Sequence, residues 1–211
     1  MYQHTRLTNN NYNLFQKFKN FDYILLTCIL CLGFISLTTM YSTDGGKILF
    51  HTQSHFVKLI IFTLMMLVIS FINIRLWFSI SYISYVIVIG LLIWTNLFGI
   101  KASGSQRWID LYYINLQPSE LMKIMIILCL SKFFHRMKLE NVSSIYTIFT
   151  SLVIIFLPMG LVIIQPDLGT SVLIATSGIA VLWFAGMNHR YFFYTFLGFL
   201  ISLPFIISFL K

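Results

Sequence analysis

The stretch R-W-I-D-L-Y-Y-I-N-L-Q-P-S-E-L-M-K, Arg107 to Lys123, sets an arginine, an aspartate, a glutamate and a lysine between two long apolar runs. Charged residues make up 9% of this chain of 211 residues and hydrophobic residues 58%. Four ionisable groups in one short segment, two of them where a span begins, therefore stand out in a chain so short of charge. Its second half, from Gln117 onward, has the form of a helix start. Proline suits the first helical turn, where its missing N–H removes a donor that would lack a partner. Ser119 and Glu120 then bring an acceptor and a negative charge to the positive end of the helix dipole.

Outward from this segment the chain reads as an integral membrane protein. The mean hydropathy is +0.86. A soluble domain carries about a quarter of its residues charged, and a span of about twenty apolar residues crosses a hydrocarbon core roughly 30 Å thick. The expected fold class is all-α, a polytopic transmembrane helical bundle of about seven spans. These lie at roughly 22–42, 56–73, 77–98, 119–135, 145–164, 169–187 and 191–210, each helical because lipid satisfies no backbone polar group. Residues 1–20 are polar, asparagine-rich and expected to form a flexible cytoplasmic tail. The first apolar run is too long for the core of a cleavable signal and reads as a retained signal anchor.

The net charge of +8 contains no long basic run, so nucleic-acid binding is not expected. Basic residues flank the spans, where they orient the chain against anionic lipid. One side collects Arg6, Lys17, Lys19, Arg75, Lys132, Arg136, Lys138 and Arg190, and the other Lys47, Lys58, Lys101 and Arg107. Eight against four places the N-terminus in the cytoplasm and the opening stretch on the outer face. Cys28, Cys31 and Cys129 lie inside apolar runs and read as small hydrophobes. His51 and His55 stand four apart without the glutamate that zinc-protease chemistry requires, so an interfacial or structural role is expected and no metal site is assigned.

A second segment echoes the first. Gln165-Pro166-Asp167-Leu168 repeats the Gln-Pro-x-x pattern of Gln117 to Glu120, and both are expected to open an outward-facing helix, with Ser119, Asp167 or Thr170 as capping groups. Lys123 stands three residues after Glu120, so the two can pair on one helix face. A lysine there opposes the dipole, and ionisable groups inside a span mark functional sites by default. Arg107, beside Trp108, suits either an anchor among headgroups or a bidentate clamp on a phosphate. If the two helix starts converge, Arg107, Glu120, Lys123 and Asp167 surround one polar cavity fitted to the head of a lipid substrate.

The segments S-G-S-Q-R-W-I-D-L, I-N-L-Q-P-S-E-L-M-K-I and I-I-Q-P-D-L-G-T-S-V-L-I-A-T-S-G-I-A-V-L-W-F-A-G-M closely resemble the SEDS family (shape, elongation, division and sporulation), and within it the rod-shape-determining RodA branch. The resemblance runs from about Phe21 to the C-terminus. It implies a polytopic protein of the bacterial inner (cytoplasmic) membrane that polymerises lipid II, a polyprenyl-pyrophosphate precursor, into glycan strands. It also implies a class B penicillin-binding protein as partner, for cell-wall elongation and rod shape. By resemblance Arg107, Glu120, Lys123, Gln165 and Asp167 bind substrate. No cofactor is identified, and a divalent cation is the one left open. Family members usually have ten spans, with the aspartate proposed as catalytic in an outer loop after the seventh. Residues 21–211 are therefore expected to be an incomplete transmembrane domain, without a catalytic residue of its own and inactive alone. A precursor flippase, or an inactive scaffold for the partner synthase, is the alternative.

Overall fold

The computed structural model describes residues 19, 21–102, 105–110, 115–135 and 137–194. Most of the expected tail, Arg136 and most of the expected seventh span lie outside these residues. The chain divides into two compact units, Met1–Asn73 and Ile74–Lys211.

In the first unit α1 (Tyr23–Thr43) and α2 (Phe50–Phe71) form a hairpin. Asp22 caps α1 by accepting from the Leu25 N–H at 2.9 Å. The N-cap of α2, Leu49, has no side chain able to accept. Asp44, just past the end of α1, takes that role from a distance. Its Oδ2 accepts from the Thr52 N–H at 3.0 Å and from the Thr52 hydroxyl at 2.6 Å. The Thr52 hydroxyl is the main cause holding the Asp44 carboxyl below its usual pKa, and the carboxylate faces the positive end of α2. This distant cap explains why α2 begins at Phe50 rather than near residue 56: the polar H-T-Q-S-H stretch is helical, not linker. His55 exchanges a hydrogen bond with Ser36 across the hairpin at 2.8 Å, which agrees with the structural role expected of it.

The second unit contains α3 (Ile74–Phe98), α4 (Pro118–Phe134), the short α5 (Leu139–Val142), α6 (Ile145–Ile164) and α7 (Leu168–Phe184). The helix α4 is central, packing most extensively on α3 and next on α7, while α6 packs on α7. Met122, Ile126 and Leu130 of α4, Leu92 of α3, Ile155 of α6 and Ile174 of α7 are all buried. Beyond Pro118, the buried residues of α4, 119, 122, 126, 129, 130 and 134, follow the period of one helix face. Many large side chains elsewhere are exposed, Ile24 at 79% and Phe34 at 68% among them, as expected where the outer solvent is lipid.

Four helices, α1, α2, α3 and α6, are long and apolar enough to cross a membrane, and α7 is a shorter apolar helix of 17 residues. Lipid tails are as apolar as leucine, so burial between spans gains little from the hydrophobic effect, and close packing and hydrogen bonds decide which faces meet. Gly178 of α7 shows this. A Cβ there would lie 2.6 Å from Ile155 Cγ1 and 3.4 Å from Ile126 Cδ1. We expect Gly178→Ala to destabilise the bundle by about 1–3 kcal/mol through overpacking, lowering the melting temperature in detergent. Adding Ile155→Val, which removes the Cδ1 that would lie 2.9 Å from the new methyl but keeps Cγ1, should recover part of the loss; no change in melting would show that the contact does not matter.

One element departs from the all-α expectation. Residues 100–116 contain a small antiparallel sheet, β1 (Ile100–Ala102), β2 (Ser105–Asp110) and β3 (Asn115–Leu116), in the order β1-β2-β3. Trp108 pairs with Ile100 and Ile109 with Leu116. Trp108 and Ile109 are residue types that favour such pairing. At Gly99, between α3 and β1, a Cβ would stand 2.5 Å from the Thr95 carbonyl and 3.2 Å from Gln106 Cγ. Only glycine fits the handover from helix to strand.

Candidate functional site

The two Gln-Pro segments meet, and Asp167 is where they do so. Asp167 is the N-cap of α7 and accepts from the Thr170 N–H at 3.2 Å through Oδ1. Its Oδ2 accepts from Gln117 Nε2 at 3.2 Å and pairs with Arg107 Nη1 at 3.3 Å. Three elements thus converge on one carboxylate: β2 supplies Arg107, the N-cap of α4 supplies Gln117, and α7 supplies its own first turn. The Asp167 side chain is 9% exposed and that of Arg107 31%. Burial alone would raise the Asp167 pKa; the hydrogen bonds from Thr170 and the Arg107 charge outweigh it and hold the carboxyl below its ordinary value. At neutral pH the group is ionised.

Glu120 and Lys123 form the expected pair on α4, with Nζ to Oε2 at 2.8 Å. The pair starts three residues beyond Gln117, so it stands on the same end of α4 as the residue that bonds Asp167. Glu120 is the more open partner, its side chain 55% exposed against 26% for Lys123.

The local capping differs from expectation in three respects. Gln117, not Ser119, is the N-cap of α4, and it makes no side-chain bond to its own helix; its amide goes to Asp167 instead. Ser119 is buried, and among the described residues its hydroxyl has no partner. Pro118 occupies the first turn of α4 as expected, but Pro166 stands before the N-cap of α7 and outside that helix. The sequence echo therefore produces two different helix starts.

Gln165 is placed differently from the four charged residues. It is 2% exposed, and its Nε2 donates to the Leu92 carbonyl of α3 at 3.2 Å. Gln117 is the residue whose part sequence reasoning missed, although the Gln-Pro repeat held the signal. Lys132, counted as an orientation signal, also donates to the Ser79 carbonyl at 2.7 Å and lies 4.6 Å from the Tyr82 ring centroid, a cation–π contact. Of the cysteines, Cys129 is buried and Cys28 and Cys31 are exposed.

Apolar spans around a charged cluster at two helix starts define a helical integral membrane protein with a polar site at one end of its bundle. Comparison with known proteins identifies the group. The family model FtsW/RodA/SpoVE, described as cell cycle protein, matches residues 19–211. The chain belongs to this family, the SEDS family that its motifs resemble. It is 42% identical over 110 residues to the peptidoglycan glycosyltransferase MrdB of Escherichia coli K12, covering 50% of this chain and 28% of that protein. To the "Probable peptidoglycan glycosyltransferase FtsW" of Buchnera aphidicola subsp. Baizongia pistaciae it is 29% identical over 186 residues, covering 85% of this chain and 49% of the other. The fold matches a chain in a structure of a peptidoglycan synthase complex that coordinates polymerization and crosslinking. That match has a TM-score of 0.80 and 20% identity over 91% of this chain and 56% of the other. It also matches the crystal structure of Thermus thermophilus RodA, with a TM-score of 0.74 and 19% identity over 86% and 59%. The chain spans half or less of the length of these two curated relatives.

Proposed function

We propose that this chain forms the lipid-substrate-binding part of a peptidoglycan glycosyltransferase of the bacterial inner membrane, crossing it several times with its N-terminus in the cytoplasm. The substrate is lipid II and the partner a class B penicillin-binding protein. The observation that carries the reading is the meeting of Arg107, Gln117 and Asp167 at the starts of α4 and α7, beside the Glu120–Lys123 pair. Helix N-termini and paired cations suit an anionic headgroup. Arg107 and Lys123 contact the pyrophosphate, whose departure they assist by stabilising its charge. Asp167 and Glu120 aim these cations rather than act as bases: each already spends its charge on a basic partner. For the same reason the two carboxylates do not by themselves make a divalent-cation site, and no step is assigned to such an ion. Gln165, bonded to Leu92, serves the site from behind.

The test is binding of lipid II to the purified full chain by native mass spectrometry, with diacylglycerol as the neutral control. Lipid II should bind selectively, and Arg107→Ala should weaken it at least tenfold, about the effect of one charge-assisted contact. Equal retention of lipid II and diacylglycerol would overturn the reading. Polymerisation and translocation are followed alongside in proteoliposomes containing the partner synthase. Translocation without polymer, sensitive to Arg107→Ala, would favour a flippase instead.

A further inference from the structure

The helix α6 carries Pro158 in its interior. Proline lacks the N–H that would bond the carbonyl four residues earlier, and that carbonyl is Ile154's. In lipid an unpaired carbonyl is costly. Here Tyr85 of α3 supplies the missing donor, its phenol lying 2.9 Å from the Ile154 oxygen. The same arrangement recurs nearer the end of α6. Gln165 gives its N–H to Val162 at 3.1 Å rather than to Leu161, and Asn96 Nδ2 donates to the Leu161 carbonyl at 3.3 Å. Gln165 returns a bond across the same interface, from its own Nε2 to the Leu92 carbonyl. On α3, residues 85, 92 and 96 are seven and four apart, hence on one face.

The outer part of α6 is thus tied to α3 by three side-chain-to-backbone hydrogen bonds, and the first replaces a bond that proline removed. The tie continues into the site. Val162 accepts from the Asp167 N–H at 3.3 Å as well as from Gln165, so the placement of this end of α6 is also the placement of the carboxylate that holds Arg107 and Gln117.

We infer that Tyr85 and Asn96 are positioning residues for Asp167, with Tyr85 acting as a side-chain substitute for the amide that Pro158 lacks. Only the further step, that this placement serves lipid II binding, rests on the function proposed above. The inference makes a specific demand: alanine at 158 gives Ile154 its helical donor back, after which the tyrosine hydroxyl is dispensable.

The experiment is hydrogen–deuterium exchange of the full chain in detergent, without lipid, on parent, Tyr85→Phe, Pro158→Ala and the double variant. Exchange of the Thr170 and Ser171 amides, which bond Asp167, should rise about fivefold in Tyr85→Phe, the factor set by one ordinary hydrogen bond. It should return to the parent rate in Tyr85→Phe/Pro158→Ala, while the amides of residues 122–130 in α4 stay unchanged throughout. Parent-like exchange in Tyr85→Phe, or no return in the double variant, overturns the inference. Should Tyr85→Phe not fold, Asn96→Leu is expected to raise exchange at the same two amides, and its failure to do so is equally decisive. Because lipid II is absent, these outcomes do not depend on whether the chain binds it. Where it does, its affinity should fall with Tyr85→Phe and recover with Pro158→Ala.

Discussion

Asp167→Ala is expected to abolish lipid II binding and to give the largest stability loss of any single substitution in the site. It removes one carboxylate and leaves three donors without their acceptor: Arg107 Nη1, Gln117 Nε2 and the Thr170 N–H. Breaking a buried ion pair from one side costs about 3–5 kcal/mol, and losing an N-cap costs about 1 kcal/mol. Arg107 keeps nearly a third of its side chain exposed, so water recovers part of its solvation and a total of about 3 kcal/mol is the better expectation. Asp167→Asn separates the contributions. Asparagine caps a helix about as well as aspartate, so α7 should keep its start while Arg107 loses the charge of Asp167. Thermal melting in detergent should therefore rank parent above Asn above Ala, with lipid II binding weak in both variants. Equal melting of Asn and Ala would show that the charge, not the cap, carries the stability. The pH dependence has a definite sign. In the folded chain the Asp167 carboxyl is held below the ordinary aspartate range, so its contribution is complete above that range and is lost as pH falls through the depressed pKa. Asp167→Asn should remove that part of the acid-induced loss.

Lys123→Ala is expected to show the opposite balance, a large effect on binding with a small one on stability. An exposed pair three residues apart on a helix is worth about 0.2–0.5 kcal/mol, and Glu120 is the exposed partner of this one. Removing the lysine should leave melting almost unchanged. Lipid II affinity should fall at least tenfold, since the ammonium is assigned to the pyrophosphate. Glu120→Gln should lower affinity less, because it frees the ammonium without deleting it. If Lys123→Ala melts far below parent, or binds lipid II as parent does, the pair is structural only.

The helices were legible in the sequence to the extent that each span is a single apolar run. The helix expected at 145–164 is observed as Ile145–Ile164, and that expected near 119–135 as Pro118–Phe134. The start of α2 was not legible, because its cap is Asp44, which belongs to the chain before the turn. The sheet at residues 100–116 was not legible either: its strands are two to six residues long and carry no period that a reader of membrane spans would seek. In the candidate site, the Glu120–Lys123 pair followed from spacing alone. The Arg107–Asp167 pair was legible only as a condition, that the two Gln-Pro segments come together.

By itself the sequence determined that this is a helical membrane protein, where its longest spans lie, and which segments hold its few charges. Each of those follows from composition and from helical spacing, which are local along the chain. Only the tertiary structure decided which charges share a partner. Asp167 meets Arg107 and Gln117 across sixty and fifty positions of sequence, and Tyr85 meets Ile154 across 69. Such contacts depend on how spans pack, and in lipid packing is governed by close approach at residues such as Gly178 and by hydrogen bonds across helices. The apolar pattern places every span in the membrane, but it does not say which neighbour each span will face.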